Sequence, residues 1–212
     1  MKDATIGDER SRVRREDRAV VDDEWIRDIL RFEPYATVAT AKGNQPFVRP
    51  SAFFFDDEQN AIYIHGAHQG RGFENLADNP SVCLSVYVVG AMRGHARAFE
   101  FFLEQGGVIV FGYASRVEDD PTKHRVMQAL FEKHAPHLEN GVDYEPASQE
   151  EIDLTTVYRI DIEEWSGKIK WTDDEPLFRF NYEDVRGERR AALPWNRSDM
   201  DPLTTEWQSS RH

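Results

Sequence analysis

Apolar residues first recur at helical spacing near the start of the chain, where Trp25, Ile26, Ile29 and Leu30 share one face. Asp22 or Asp23 can cap the free amides at the start of this helix, and Pro34 ends it. From Tyr35 the period changes to two. Tyr35–Thr40 predicts a short strand, Gly43-Asn44 a hairpin turn, and Gln45–Phe55 the returning strand. Pro46 and Pro50 confine that strand to an edge or an irregular pairing. A polar turn, Asp56–Asn60, precedes the strand Ala61–His65, and the glycine-rich loop Gly66–Gly72 leads into a short helix over Phe73–Ala77. Val82–Val89 predicts a β-branched strand. Gly90–Gly107 takes no clear assignment, although Phe99, Phe101 and Phe102 make it too apolar for a free loop. Val108–Val117 continues as a long strand. Asp119-Asp120-Pro121 opens a helix whose buried stripe is Val126, Leu130 and Phe131. Leu154–Ile162 alternates as a last strand, extended by Trp165–Trp171.

The elements add up to about six antiparallel strands with helices at the start, in one loop and before the last strand. Strands dominate and do not alternate with helices, so the expected fold is a mainly β, α+β barrel or sandwich rather than a parallel doubly wound sheet. Residues 1–20 read as a mobile polar arm, 21–172 as the folded domain, and 173–212 as an irregular tail with Pro176, Pro194 and Pro202. Trp195 in that tail can dock on the domain or on a partner.

Composition narrows the partners. Of 212 residues, 26 are Lys or Arg and 39 are Asp or Glu, a net charge of −13. That argues against nucleic acid or an anionic membrane as the main partner, while a small anion held by a few focused cations stays open. No run approaches the ~20 apolar residues that cross a bilayer, and the charged Met1–Arg18 stretch does not read as a secretory signal. The single cysteine, Cys83, lies in the apolar run Val82-Cys83-Leu84 and cannot form an internal bridge. An inert buried thiol in a reducing cytoplasm is the expectation.

The sequence has no phosphate loop of the nucleotide-hydrolase type and no Gly-x-Ser-x-Gly elbow. His65 with His68, and His134 with His137, are isolated pairs without cysteines or a glutamate motif, so no metal is expected. Three segments carry chemistry. In Ile62-Tyr63-Ile64-His65-Gly66-Ala67-His68-Gln69-Gly70-Arg71, an imidazole, a guanidinium and glycine-flanked amides can surround a phosphate. The plain alternative is that His65 caps the strand and Arg71 is solvated. Arg49, in Phe47-Val48-Arg49-Pro50-Ser51, can converge on the same anion or simply blunt an edge strand. Trp165-Ser166-Gly167-Lys168 sets a flat ring beside a cation, which suits an aromatic anionic ligand.

In their order, Ala36–Thr40, Pro46–Pro50, Ile62–Ala67, Gly70-Arg71, Asn79–Leu84, Val110–Ala114 and Trp165–Lys168 resemble the pyridoxamine 5'-phosphate oxidase-like FMN-binding split barrels. The nitroimidazole-resistance branch is the nearest in pattern, and the resemblance spans roughly residues 15 to 172. It implies a six-stranded antiparallel Greek-key split barrel with flanking helices, a homodimer, and FMN at two sites between subunits. By position it makes Arg49, Pro50 and Ser51 flavin-lining. It sets His65, Gly66, Gly70 and Arg71 at the phosphate or the reactive face, with His65 as the catalytic candidate. Trp165 and Lys168 would then reach the cofactor from the partner subunit. Two departures stand out. Gly72 replaces a lysine that often follows the Gly-Arg pair, and Gln105-Gly106-Gly107-Val108 replaces a Tyr-x-Ser-Val pattern, opening room for a different substrate.

The resemblance therefore implies an FMN-dependent oxidoreductase acting on a small molecule, nitroreductase-like by its resistance-branch pattern. The alternatives are a deazaflavin-dependent reductase, a non-catalytic flavin- or heme-binding module, and a dimerisation scaffold whose tail is the functional part.

Overall fold

The computed structural model of the chain describes residues 10–172 and 176–181. Its elements run β1 (Ala19–Val20), α1 (Asp23–Phe32), β2 (Tyr35–Lys42), β3 (Gln45–Asp56), β4 (Ala61–Gly66), α2 (Arg71–Asp78) and β5 (Ser81–Gly94), then β6 (Phe102–Arg116), α3 (Asp120–His134), α4 (Gln149–Asp153), β7 (Thr156–Lys170) and β8 (Phe178–Asn181). They form two compact units, one of residues up to Val88 with Gly106–Ile169, the other of Val89–Gln105 with the chain from Lys170 on.

In the first unit six strands close into a ring, β7-β4-β3-β2-β5-β6 and back to β7, which is the expected antiparallel split barrel. Period-two patterning builds it. Ala36 and Val38 on β2, Phe53 and Phe55 on β3, Ile62 and Ile64 on β4, Val82, Leu84 and Val86 on β5 and Val108 and Val110 on β6 meet in one buried core. β4 is buried on its other face too, because Ala61 and Tyr63 pack with Val126 and Leu130 of α3. The buried Tyr63 hydroxyl is satisfied, donating to Gln59 Oε1 at 3.1 Å and accepting from Arg159 Nη1 at 2.9 Å. The ring closes where Gly112 of β6 meets β7: a Cβ at Gly112 would overlap the Asp161 carbonyl.

Local chemistry sets the element ends. The Asp22 carboxylate accepts from Glu24 N at the start of α1, and Asp119 accepts from Thr122 N at the start of α3, whose first turn holds Pro121. Pro46 and Pro50 lie in the half of β3 that has β2 on one side and no β4 on the other, so the missing donors cost no ladder bond there. Phe131, expected in the buried stripe of α3, is instead 42% exposed and packs edge-on to Tyr144.

Other parts of the chain differ from the expectation. The second half of the arm, residues 10–20, lies on the barrel. Arg10 and Ser11 bond Glu164 of β7, and Ala19 and Val20 pair with Lys168 and Gly167. The unassigned Gly90–Gly107 stretch forms the far halves of a β5–β6 hairpin in the second unit. Glu104, 2% exposed, organises that unit by accepting from Ala91 N, Arg93 Nη1 and Arg179 Nη2 at 2.9–3.1 Å. Burial pushes its carboxyl up, but Arg179, the Ala91 amide and Arg93 outweigh burial and hold it below the usual range. β8 pairs with β5 there, within the stretch read as an irregular tail. The remainder of that tail, Trp195 included, lies outside the described residues.

Candidate functional site

β3 outruns β4. It pairs with β4 only from Phe53 to Asp56, so the segment holding Arg49, Pro50 and Ser51 projects past the end of β4. Arg49 shares the alternation of Ser51, Phe53 and Phe55, and points to the barrel side. There it lies against both ends of the loop that leaves β4. A Cβ at Gly66 would stand 3.8 Å from Arg49 Nη2, and one at Gly72 would stand 3.3 Å from Arg49 Nε. Gly72 therefore leaves the guanidinium its place, and a lysine there would crowd it. Gly70, with φ of 102° in the left-handed region, turns the chain into α2. No side chain caps the first amides of that helix.

The electrostatics of Arg49 are unusual. Burial pulls its pKa down, and among the described residues it makes no hydrogen bond or ion pair. A half-buried guanidinium without a carboxylate is costly unless an anion comes to it. Arg71, at the first position of α2, lies with its guanidinium 5.5 Å from the centre of the Phe47 ring. Arg49 against Gly66 and Gly72, with Arg71 at the uncapped start of α2 that follows Gly70, makes a candidate cradle at the end of this loop. Its chemistry suits a phosphate monoester.

The other expected residues fall around or away from this cradle. The Ser51 hydroxyl is buried and donates to the Ala52 carbonyl at 3.0 Å, while Pro50 is exposed. His65 lies on the opposite face of β4 from Ile64 and Gly66. Its Nδ1 is buried with no hydrogen-bond partner among the described residues. Burial first, then the charges of Arg49 and His134, pull its pKa down, so the neutral ring prevails near pH 7. Trp165 is 3% exposed in the barrel core, its Nε1 donating to Asp23 Oδ1 at 3.2 Å. Lys168 is exposed on β7 opposite Ala19. His65 pairs with Val157, so Lys168 stands eleven residues further along the strand. At ~3.3 Å per residue that is roughly 35 Å, and neither Trp165 nor Lys168 shares a site with Arg49 within one chain.

Thr156 and Lys133 of the neighbourhood had no sequence signal, and His68 had one only as a member of the segment Ile62–Arg71. His68 pins the loop: its Nε2–H donates to the Asp153 carbonyl at 2.7 Å, and the buried Thr156 hydroxyl donates to Nδ1 at 2.7 Å, a tautomer assigned from these partners. Lys133 Nζ donates to the Leu30 carbonyl at 3.0 Å and stands 3.6 Å from the Phe53 ring centre. Burial pulls its pKa down to about 7, against the opposing pull of Glu33. No cluster of three or more His, Cys, Asp or Glu side chains able to hold a metal occurs among the described residues. Nor is any described helix long and apolar enough to cross a membrane.

The family model for pyridoxamine 5'-phosphate oxidase matches residues 22–169. No curated protein matches the sequence. Among solved structures, the flavocytochrome Anf3 from Azotobacter vinelandii is 26% identical, with a TM-score of 0.67 over 88% of this chain and 81% of that one. The FAD and heme binding protein from Mycobacterium smegmatis is 22% identical, with a TM-score of 0.65 over 84% and 81%. A candidate 5-nitroimidazole antibiotic resistance protein from Bacteroides thetaiotaomicron shares the fold at 16% identity, with a TM-score of 0.60 over 71% and 86%.

Proposed function

The chain belongs to the pyridoxamine 5'-phosphate oxidase family, a flavin-binding family, and from that membership we propose that it is an FMN-dependent oxidoreductase acting on a small molecule. The observation that carries the ligand is Arg49, a half-buried cation with no carboxylate partner among the described residues, lying against Gly66 and Gly72. A phosphate monoester is the group that Arg49 and Arg71 would hold, and FMN carries one. The flavin, when bound, supplies the electron-carrying chemistry. The chain's own residues supply the rest: Arg49 and Arg71 bind and orient the phosphate, and His65 holds or delivers a proton at its imidazole. The unpartnered Nδ1 of His65 fits that role, because nothing else among the described residues uses it.

A homodimer completes the site. Val48, Tyr87, Ile109 and Tyr113 are 41–67% exposed on the outer face of the barrel unit, an apolar surface that suits a second copy. Lys168, remote from Arg49 in its own chain, meets a cofactor only across such a subunit boundary. A substrate of the nitroaromatic type suits the likeness in fold to the nitroimidazole-resistance protein. A second reading, a flavin protein that carries heme as well, draws on the flavocytochrome at 26% identity.

His65→Ala tests the catalytic assignment. The variant is expected to bind flavin as the parent does and to reduce a nitroaromatic substrate under anaerobic conditions at least ~10-fold more slowly. A variant that binds flavin and turns over at the parental rate removes His65 from the mechanism.

A further inference from the structure

Tyr158 is the next residue beyond the cradle on β7 that faces the barrel side. It pairs with Ile64, one step inward of the Gly66–Thr156 pair, and belongs to the same core as Phe53 and Ile64. It therefore stands beside Gly66, which lies against the Arg49 guanidinium. A tyrosine that is only 8% exposed ordinarily spends its hydroxyl on a partner. This one makes no hydrogen bond to any described residue, although a serine, a threonine and two histidines nearby do. Its hydroxyl lies within the fields of two cations, Arg116 and Arg49. Burial raises its pKa more than these cations lower it, so the phenol stays protonated at neutral pH and keeps a proton to donate to an acceptor.

A phenol donor with no acceptor among the described residues, on the same barrel face as an unpaired arginine, describes half of an anion site. We propose that Tyr158 is a phosphate-binding residue: its Oη–H donates to the same ligand phosphate that Arg49 holds, and it favours a phosphorylated flavin over the dephosphorylated one. The role rests on the flavin reading of the cradle. Unlike Arg49, Tyr158 adds no charge. It supplies directional discrimination, because an absent phosphate leaves both the phenol and the guanidinium unpaired.

The test compares FMN with riboflavin, which lacks the phosphate, by quenching of flavin fluorescence in titrations of the full chain and of Tyr158→Phe. The substitution removes one oxygen and keeps the ring in the core, and matching thermal transitions establish that the fold is intact. The expected result is a roughly tenfold weaker FMN affinity with riboflavin affinity unchanged, and a matching loss of competition by inorganic phosphate. If Tyr158→Phe retains the parental preference for FMN, or weakens both flavins equally, the hydroxyl does not touch the phosphate and the proposal fails on its own. If the parent itself binds FMN no better than riboflavin, the cradle is not a flavin-phosphate site, and the role of Tyr158 falls with it.

Discussion

Replacing Arg49 with alanine is expected to weaken FMN binding about 100-fold, while leaving the ligand-free protein as stable as the parent or more so. The two halves of that expectation come from one fact. Arg49 is half-buried, its pKa is pulled down by burial, and it has no partner among the described residues. In the ligand-free chain the guanidinium is therefore a cost that alanine removes. In the complex it is a charge-assisted donor to the phosphate, and hydrogen bonds to charged groups contribute about 1.5–3 kcal/mol each. Losing most of a two-donor contact amounts to roughly 2.7 kcal/mol, the stated 100-fold. Isothermal titration and thermal unfolding, run on both proteins, separate the halves. An Arg49→Ala protein that unfolds earlier yet binds FMN normally would make the arginine a structural residue.

The largest expected effect on stability belongs to Gly112→Ala. β6 and β7 close the barrel ring, and at Gly112 the added methyl would run into the Asp161 carbonyl and crowd Ile160. The obstruction is backbone, so no rotamer change relieves it. The seam must open, at a cost of about 3 kcal/mol or more. For a chain of 212 residues that corresponds to a fall in Tm of roughly 10 °C. Gly66→Ala is the control, because its Cβ would meet Arg49 at an ordinary 3.8 Å. An unchanged Tm for Gly112→Ala would mean that β6 does not close on β7.

How much of this the sequence discloses depends on the range of the interaction. Asp22 before α1, Pro121 in the first turn of α3 and the Gly43-Asn44 hairpin act within a few residues, and the elements they delimit lie where the pattern sets them. The Ser148-x-x-Glu151 capping box that starts α4 is a local signal of the same kind. The second unit was not legible, because its centre is the polar cluster around Glu104 rather than an alternating apolar stripe. The docking of Arg10 and Ser11 on Glu164 joins residues about 150 positions apart, which no window along the chain contains.

The candidate site divides in the same way. Arg49, Gly66, Gly70 and Arg71 come together because one hairpin and one loop join them. Trp165 looked like a ligand-stacking ring, and it has become core with its indole N–H bound to Asp23. Hydrophobic size serves either purpose, and only the fold decides which. Thr156 and Tyr158 had no motif to mark them, since their positions follow from the register of β4 against β7.

The central claim is that this barrel carries a flavin as FMN, and the visible absorption spectrum of the purified protein tests it most directly, with the chromophore identified after denaturation releases it. The expected spectrum has the two flavin bands near 375 and 450 nm, and the expected release product is FMN. An additional sharp band at roughly 400–420 nm would establish the flavin-plus-heme reading. A colourless protein that takes up no added FMN would contradict the account, leaving the fold in place and the Arg49 cradle to some other anion.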